Sequence, residues 1–228
     1  MKPVELQARK ELVESKPIVS ELLLCGIFSS LIYAGMNILC GMRYDGYSFT
    51  SQTVSELSAI DAPTRPLWVS LAIVYSMFII AFGWGIWQSG VLYRRFRIVG
   101  ALLIGNAVIG LFWPPMHQRE VLAAGGGSLT DTLHIVFSFV AVSLMALVIA
   151  LSAGAFGIWF RLYSYATLVV MFVFGLLTGF DAPEMEANLP TPWMGLWERI
   201  SIGAYMLWIV VLAVVVLVKK NYAMSSLD

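Results

Sequence analysis

The segment TLHIVFSFVAVSLMALVIALSAG, Thr132–Gly154, decides the fold. It opens on one ionisable residue, His134, and then runs almost wholly apolar. A helix rises 1.5 Å per residue, so roughly 20 apolar residues cross about 30 Å of hydrocarbon. No soluble helix needs such a run, so the segment is predicted to span a membrane. Five further segments read the same way: Glu21–Cys40, Leu67–Trp87, Ile98–Trp113, Tyr163–Phe180 and Ile200–Val218. The third is the shortest and carries Asn106 near its middle. Of 228 residues, 59% are hydrophobic and only 12% charged, against about a quarter charged in soluble domains.

The expected fold is therefore an all-α, polytopic bundle of six transmembrane helices. One domain would occupy residues 21–218, with a cytoplasmic segment at 1–20 and a tail at 219–228. The mixed charges before the first apolar run read as an uncleaved first helix rather than a secretory leader, with a short interfacial helix at Val4–Val13. Cys25 and Cys40 sit at opposite ends of the first helix, about 22 Å apart, and cannot bridge.

Net charge is zero, but its distribution is lopsided. Ten of fourteen cationic residues fall on one side: the five lysines, Arg9, Arg94, Arg95, Arg97 and Arg161. Arg43, Arg65, Arg119 and Arg199 fall on the other, beside nine acidic residues. Short loops rich in Lys and Arg stay in the cytoplasm, so both termini are expected inside a prokaryotic cytoplasmic membrane. The outer connections, about 18 to 25 residues, are roughly twice the length of the inner ones, and long connections more often carry function. Both histidines, His117 and His134, fall on that outer side. No Asp, Glu, Lys or Arg lies deep in any span, which argues against ion-driven transport.

The first outer connection holds GYSFTSQTVSELSAIDAP, Gly46–Pro63, polar and nearly free of bulky side chains. Read as a helix, it puts Ser51, Ser55 and Ser58 on one face beside Gln52 and Glu56, with Val54, Leu57 and Ile60 on another. Thr53-Val-Ser-Glu56 also fits a capping box, in which two orphan backbone donors are satisfied reciprocally.

Three more clusters surround it. In WPPMHQREV, Pro114 and Pro115 end the third helix, and His117, Arg119 and Glu120 follow; the two charged residues read best as a solvated rim with an Arg–Glu pair. In GGGSLTDTLH, Ser128-Leu-Thr-Asp131 can cap the fourth helix. Asp131 and His134 stand three apart on one face, so the carboxylate could orient the imidazole. In the last cluster, Asp181-Ala-Pro-Glu184 and Thr191-Pro192 read as helix starts. Glu198 then faces the bundle, while Arg199 faces the bundle or lipid phosphate. Asn37 lies on a polar stripe of the first helix.

The polar SQTVSEL after the first helix, the loop ending the third and the histidine opening the fourth form a recurring arrangement. The chain resembles the bacterial and archaeal membrane family catalogued as domain of unknown function 998, over about residues 20–218. The likeness is most specific in Ser51-Gln52-Thr53-Val54-Ser55-Glu56-Leu57. Family members often continue this signature with glycine, where this chain has Ser58. The resemblance implies the six-helix fold and membrane placement, and no activity.

From these residues the leading expectation is an outward-facing polar pocket lined by Ser51, Gln52, Ser55, Glu56, Asn37, His134, Glu198 and Arg199, binding a lipid headgroup or small polar ligand. A second is a lipid hydrolase holding zinc through His117 and His134 with Asp131, Asp181 or Glu56. Two histidines without HxxxH are a thin ligand set. A nucleophile set of Ser55 or Ser51, His134 and Asp131 can also be drawn, though no nucleophile elbow accompanies it. A third is an accessory subunit whose long outer loops dock a membrane partner or a second copy. Membrane lipids are the expected partners, and nucleic acid is not.

Overall fold

The computed structural model describes residues 16–91 and 94–225; the interfacial helix expected at Val4–Val13 lies outside them. Regular structure among the described residues is entirely helical. In chain order the helices are α1 (Lys16–Arg43), α2 (Arg65–Gln88), α3 (Arg95–Leu111), α4 (Arg119–Ala123), α5 (Leu129–Ser152), α6 (Ile158–Phe180), α7 (Ala182–Glu186) and α8 (Met194–Ser225).

Five stretches are long and apolar enough to cross a membrane: Ile18–Arg43, Arg65–Gln88, Leu129–Ser152, Ile158–Glu186 and Met194–Asn221. This is an integral membrane protein. The sixth expected span, α3, has 17 residues and so covers about 26 Å. It stops at Leu111, short of the expected Trp113, as the approach to Pro114–Pro115 leaves the helical path and Phe112 closes a tighter turn onto Ile109.

The six long helices form a closed ring in the order α1, α2, α3, α5, α6, α8, with α8 returning to α1. Helices successive in the chain are neighbours in space, the usual outcome for consecutive elements. The interior is filled by Phe82, Phe96, Leu103, Ile149, Trp208, Ile209 and Leu212, all shut off from the surface. In hydrocarbon, apolar contact alone does little to hold helices together; close approach and interhelical hydrogen bonds do. Both occur here. A Cβ on Gly100 would lie 2.5 Å from the carbonyl oxygen of Gly83, so α2 and α3 touch backbone to backbone. Ser201 donates to Met171 O at 3.0 Å, Trp208 Nε1 to Ser164 Oγ at 3.0 Å and Ser30 Oγ to Met206 O at 3.0 Å, tying α8 to α6 and α1. At one end, Lys220 Nζ donates to Ser20 Oγ at 3.1 Å. The other end is covered by a cap, residues 44–64.

Candidate functional site

The cap is not the amphipathic α-helix that serine spacing suggested. Ser48–Pro63 is a run of turns with one 3-10 turn, Ser55–Ser58. The backbone leaves that turn at Ala59 (ψ 158), and Asp61 takes a left-handed conformation, φ 64. Burial explains the choice: Val54, Leu57, Ala59 and Ala62 all point into the protein, which a helix would prevent. The capping box forms as expected: Thr53 N donates to Glu56 Oε2 at 2.6 Å and Glu56 N to Thr53 Oγ1 at 3.3 Å.

Two arginines hold the cap down. Arg119 grips Glu56 through Nε–Oε1 at 2.6 Å and Nη2–Oε2 at 2.9 Å. Its Nη1 donates to Thr191 Oγ1 at 2.6 Å, and Nη2 also to Ser51 O at 2.9 Å. Arg119 is therefore no solvated rim residue; it is mostly buried and its partner is Glu56, not Glu120. Thr191 donates on to Ser51 O at 3.0 Å rather than capping α8. Arg199 points inward, not to lipid phosphate. Its Nη1 donates to the carbonyls of Phe49 and Gln52, both at 2.8 Å, and of Gly195 at 2.9 Å; Nη2 donates to Tyr47 Oη. The guanidinium also lies over the rings of Tyr47 and Phe49, where cation–π attraction adds to the clamp. Burial pushes the Tyr47 phenol well up from its ordinary value, so it stays protonated and donates to Thr53 O at 2.6 Å.

The SQTVSEL run and the serine after it reach several elements. The Val54 N–H donates to the Glu198 carboxylate on α8, and Ser55 Oγ meets His134 Nε2 on α5 at 3.0 Å. Leu57 O accepts from Thr64 Oγ1 at 2.8 Å, and Ser58 O accepts from Arg65 on α2. Leu196 N donates to Thr50 O at 3.0 Å, and α8 comes so close that a Cβ on Gly195 would sit 2.1 Å from Gln52 O. Ile60 N donates to Met116 O at 2.8 Å. A small apolar cluster of Ala59, Ala62, Met116, Met185 and Met194 seals the junction.

The expected Asp131–His134 pair does not form. Asp131 is spent on its own helix start, where Ser128 and Asp131 build a capping box, and on His117: His117 N donates to Oδ1 at 2.7 Å and His117 Nδ1 lies 2.8 Å from Oδ2. His134 instead has Nδ1 at 2.8 Å from Pro114 O and 3.2 Å from Trp113 Nε1. The two histidines thus face separate partners, and Asp181 stands at the start of α7. Among the described residues no three His, Cys, Asp and Glu side chains converge as metal ligands.

Between α1 and α8 lies a groove of about 230 Å³. Ser30, Tyr33, Ala34 and Asn37 line it from α1; Arg199, Ile202, Gly203 and Met206 line it from α8, with Val54 above. These are i, i+3, i+4, i+7 faces of both helices, giving a slot about 10 Å long. The Ser30–Met206 bond ties the helices together at one end and Arg199 Nε to Asn37 Oδ1, 3.2 Å, at the other. Ala34, Ile38 and Gly203 are exposed, so the slot opens on the apolar flank of the bundle.

The model of the family described as "Protein of unknown function (DUF998)" matches residues 27–215, every cap and groove residue included. The chain belongs to the DUF998 family. No curated protein and no solved structure matches it.

In this DUF998 protein, then, Glu56, Asp131, Glu198 and both arginines are consumed by internal contacts. Two groups of the expected site keep free chemistry. Arg199 Nε–H can only donate, which fixes the Asn37 amide with Oδ1 toward it and leaves the Nδ2 donors without a protein partner among the described residues. Ser55, half-buried, presents a hydroxyl backed by a buried imidazole. Arg119, Thr191 and Tyr47 belong to the site, although the sequence reading gave Arg119 to a solvated rim and Thr191 to a helix start and did not pick out Tyr47. The available signal was that Arg119 is one of only four cations on an acidic side.

Proposed function

We propose that the protein is a six-span membrane protein, both termini in the cytoplasm and the cap outside, that binds a membrane lipid in the α1–α8 groove. A lipid acyl segment fills the slot, and a lipid ester carbonyl accepts a hydrogen bond from Asn37 Nδ2. The observation that carries the reading is the groove itself, an apolar slot ending at a buried amide whose donors are unspent.

Size and chemistry agree. A volume of about 230 Å³ matches some eight water-sized groups at roughly 30 Å³ each, enough for part of an acyl chain and too little for a whole headgroup. Lipid tails are as apolar as the groove, so filling it discriminates little; an amide donor in hydrocarbon adds about 1–2 kcal/mol of specific attraction.

Gly203 supplies the test. A Cβ there meets nothing within 4 Å, so Gly203→Leu fits the fold while its side chain fills the slot, and it gains about 1 kcal/mol of helix propensity. Mass spectrometry of protein purified in a lipid-free detergent should find a bound acyl lipid on the wild type and none on Gly203→Leu. Equal lipid on both proteins, or none on the wild type, would overturn the reading.

A further inference from the structure

We propose that Ser55 and His134 are a nucleophile and its general base, acting on carboxylic esters of amphiphiles at the membrane surface. A hydroxyl becomes a nucleophile when a base accepts its proton and a third group orients the base. All three parts are present. Ser55 Oγ lies 3.0 Å from His134 Nε2, within reach for proton transfer. Pro114 O, 2.8 Å from Nδ1, can only accept, so it favours the ring proton on Nδ1, the tautomer that turns the Nε2 lone pair to Ser55. Asp131 is occupied by His117, which makes this a dyad oriented by a backbone carbonyl rather than a Ser–His–Asp triad.

The surroundings indicate the substrate class. His134 is 7% exposed while Ser55 is half-buried, so of the two residues the base is the more shielded. Leu133 and Ile135, which flank His134 in sequence, and Phe112, which precedes Trp113, are exposed apolar residues, a setting for a molecule whose acyl part stays in the bilayer. The pair is distinct from the α1–α8 groove, whose lining includes Val54 but neither Ser55 nor His134.

The chemistry closes on itself. Ser55 Oγ bonds to the ester carbonyl carbon as its proton passes to Nε2. The carbon–oxygen bond to the alcohol then breaks, and the alcohol leaves with that proton. Water attacks the acyl-serine, gives its proton to Nε2 and releases the acid, and Ser55 regains its hydrogen. Ester and water become acid and alcohol, with no change of oxidation state. Trp113 competes with this arrangement. Its indole N–H, 3.2 Å from Nδ1, can only donate and so favours the opposite tautomer, in which Nε2 carries the proton.

The probe is a fluorophosphonate, which phosphonylates base-activated serines, applied to full-length protein in detergent and mapped by peptide mass spectrometry. Wild type should carry one adduct, on Ser55, and Ser55→Ala none. His134→Gln should label at least ~100-fold more slowly, the usual contribution of a positioned base. Trp113→Phe, which removes the rival donor, should label as fast as wild type or faster. Absence of an adduct on folded wild type, an adduct on another serine, or undiminished labelling of His134→Gln would each overturn the proposal. Should His134→Gln fail to fold, the Ser55→Ala comparison decides alone.

Discussion

Arg119 and Glu56, 63 residues apart, meet in a two-pronged ion pair almost closed to solvent, with side chains 11% and 5% exposed. The Glu56 carboxylate also accepts from Thr53 N and Thr53 Oγ1, and Arg119 gives two further donors to Thr191 and Ser51. Such a pair owes its worth to complete satisfaction on both sides, since desolvating two charges costs nearly what their attraction returns.

The consequence is asymmetric. Arg119→Leu leaves a buried carboxylate without its cation and should cost about 3–5 kcal/mol. Replacing both residues, Glu56→Leu with Arg119→Leu, removes the stranded charge, so the double variant should lose less than the two single variants added together. Thermal unfolding followed by tryptophan fluorescence in detergent measures all three. Simple addition of the losses would show that the pair is not coupled.

A second prediction concerns where the cap meets α8. Gly195 lies against the Gln52 carbonyl, and an added Cβ would stand 2.1 Å from that oxygen. The obstacle is backbone and cannot swing aside. Gly195→Ala must therefore push the cap strand off α8, stretching Arg199 contacts to Phe49 and Gln52 and the Val54–Glu198 bond. Limited proteolysis should cut within residues 46–63 faster in Gly195→Ala than in wild type, with the helices intact by circular dichroism. Unchanged cleavage would mean that the cap tolerates the displacement.

What could be read from sequence follows from the range of the forces involved. The spans were legible because hydrocarbon imposes one requirement, an unbroken apolar run, on each helix separately. The Thr53–Glu56 and Ser128–Asp131 capping boxes were legible because their partners are three residues apart. Ser55 with His134 was among the pairings drawn from sequence and forms, but the partners of Glu56 and Val54 were not legible, since Arg119 and Glu198 come from two other elements and only the closure of the ring brings them in. Asp131 misled for a local reason: the spacing that suits an Asp–His pair also suits a helix cap, and the four orphan donors of a helix start make the stronger demand. The serine stripe misled because its helical pattern competed with the burial of Val54, Leu57 and Ala59, and burial won.

The orientation of the ring rests on charge. Ten cationic residues fall at the end opposite the cap or in the terminal segments, and four at the cap end. Of those four, Arg119, Arg199 and Arg65 are bound to cap groups, so their place is fixed by folding and carries little topological signal. That leaves the cluster Arg94, Arg95 and Arg97 between α2 and α3, with Arg161 near the start of α6, as the short-loop charges on which the proposed cytoplasmic placement of that face rests. Ala124 and Arg95 are exposed at the two ends. In a Cys25→Ala, Cys40→Ala background, a membrane-impermeant maleimide applied to intact cells should label Ala124→Cys, and should reach Arg95→Cys only after permeabilisation. Replacing Arg94, Arg95 and Arg97 together with neutral residues should weaken that preference. The reverse labelling pattern would put the cap, its lipid groove and the Ser55–His134 pair on the cytoplasmic face.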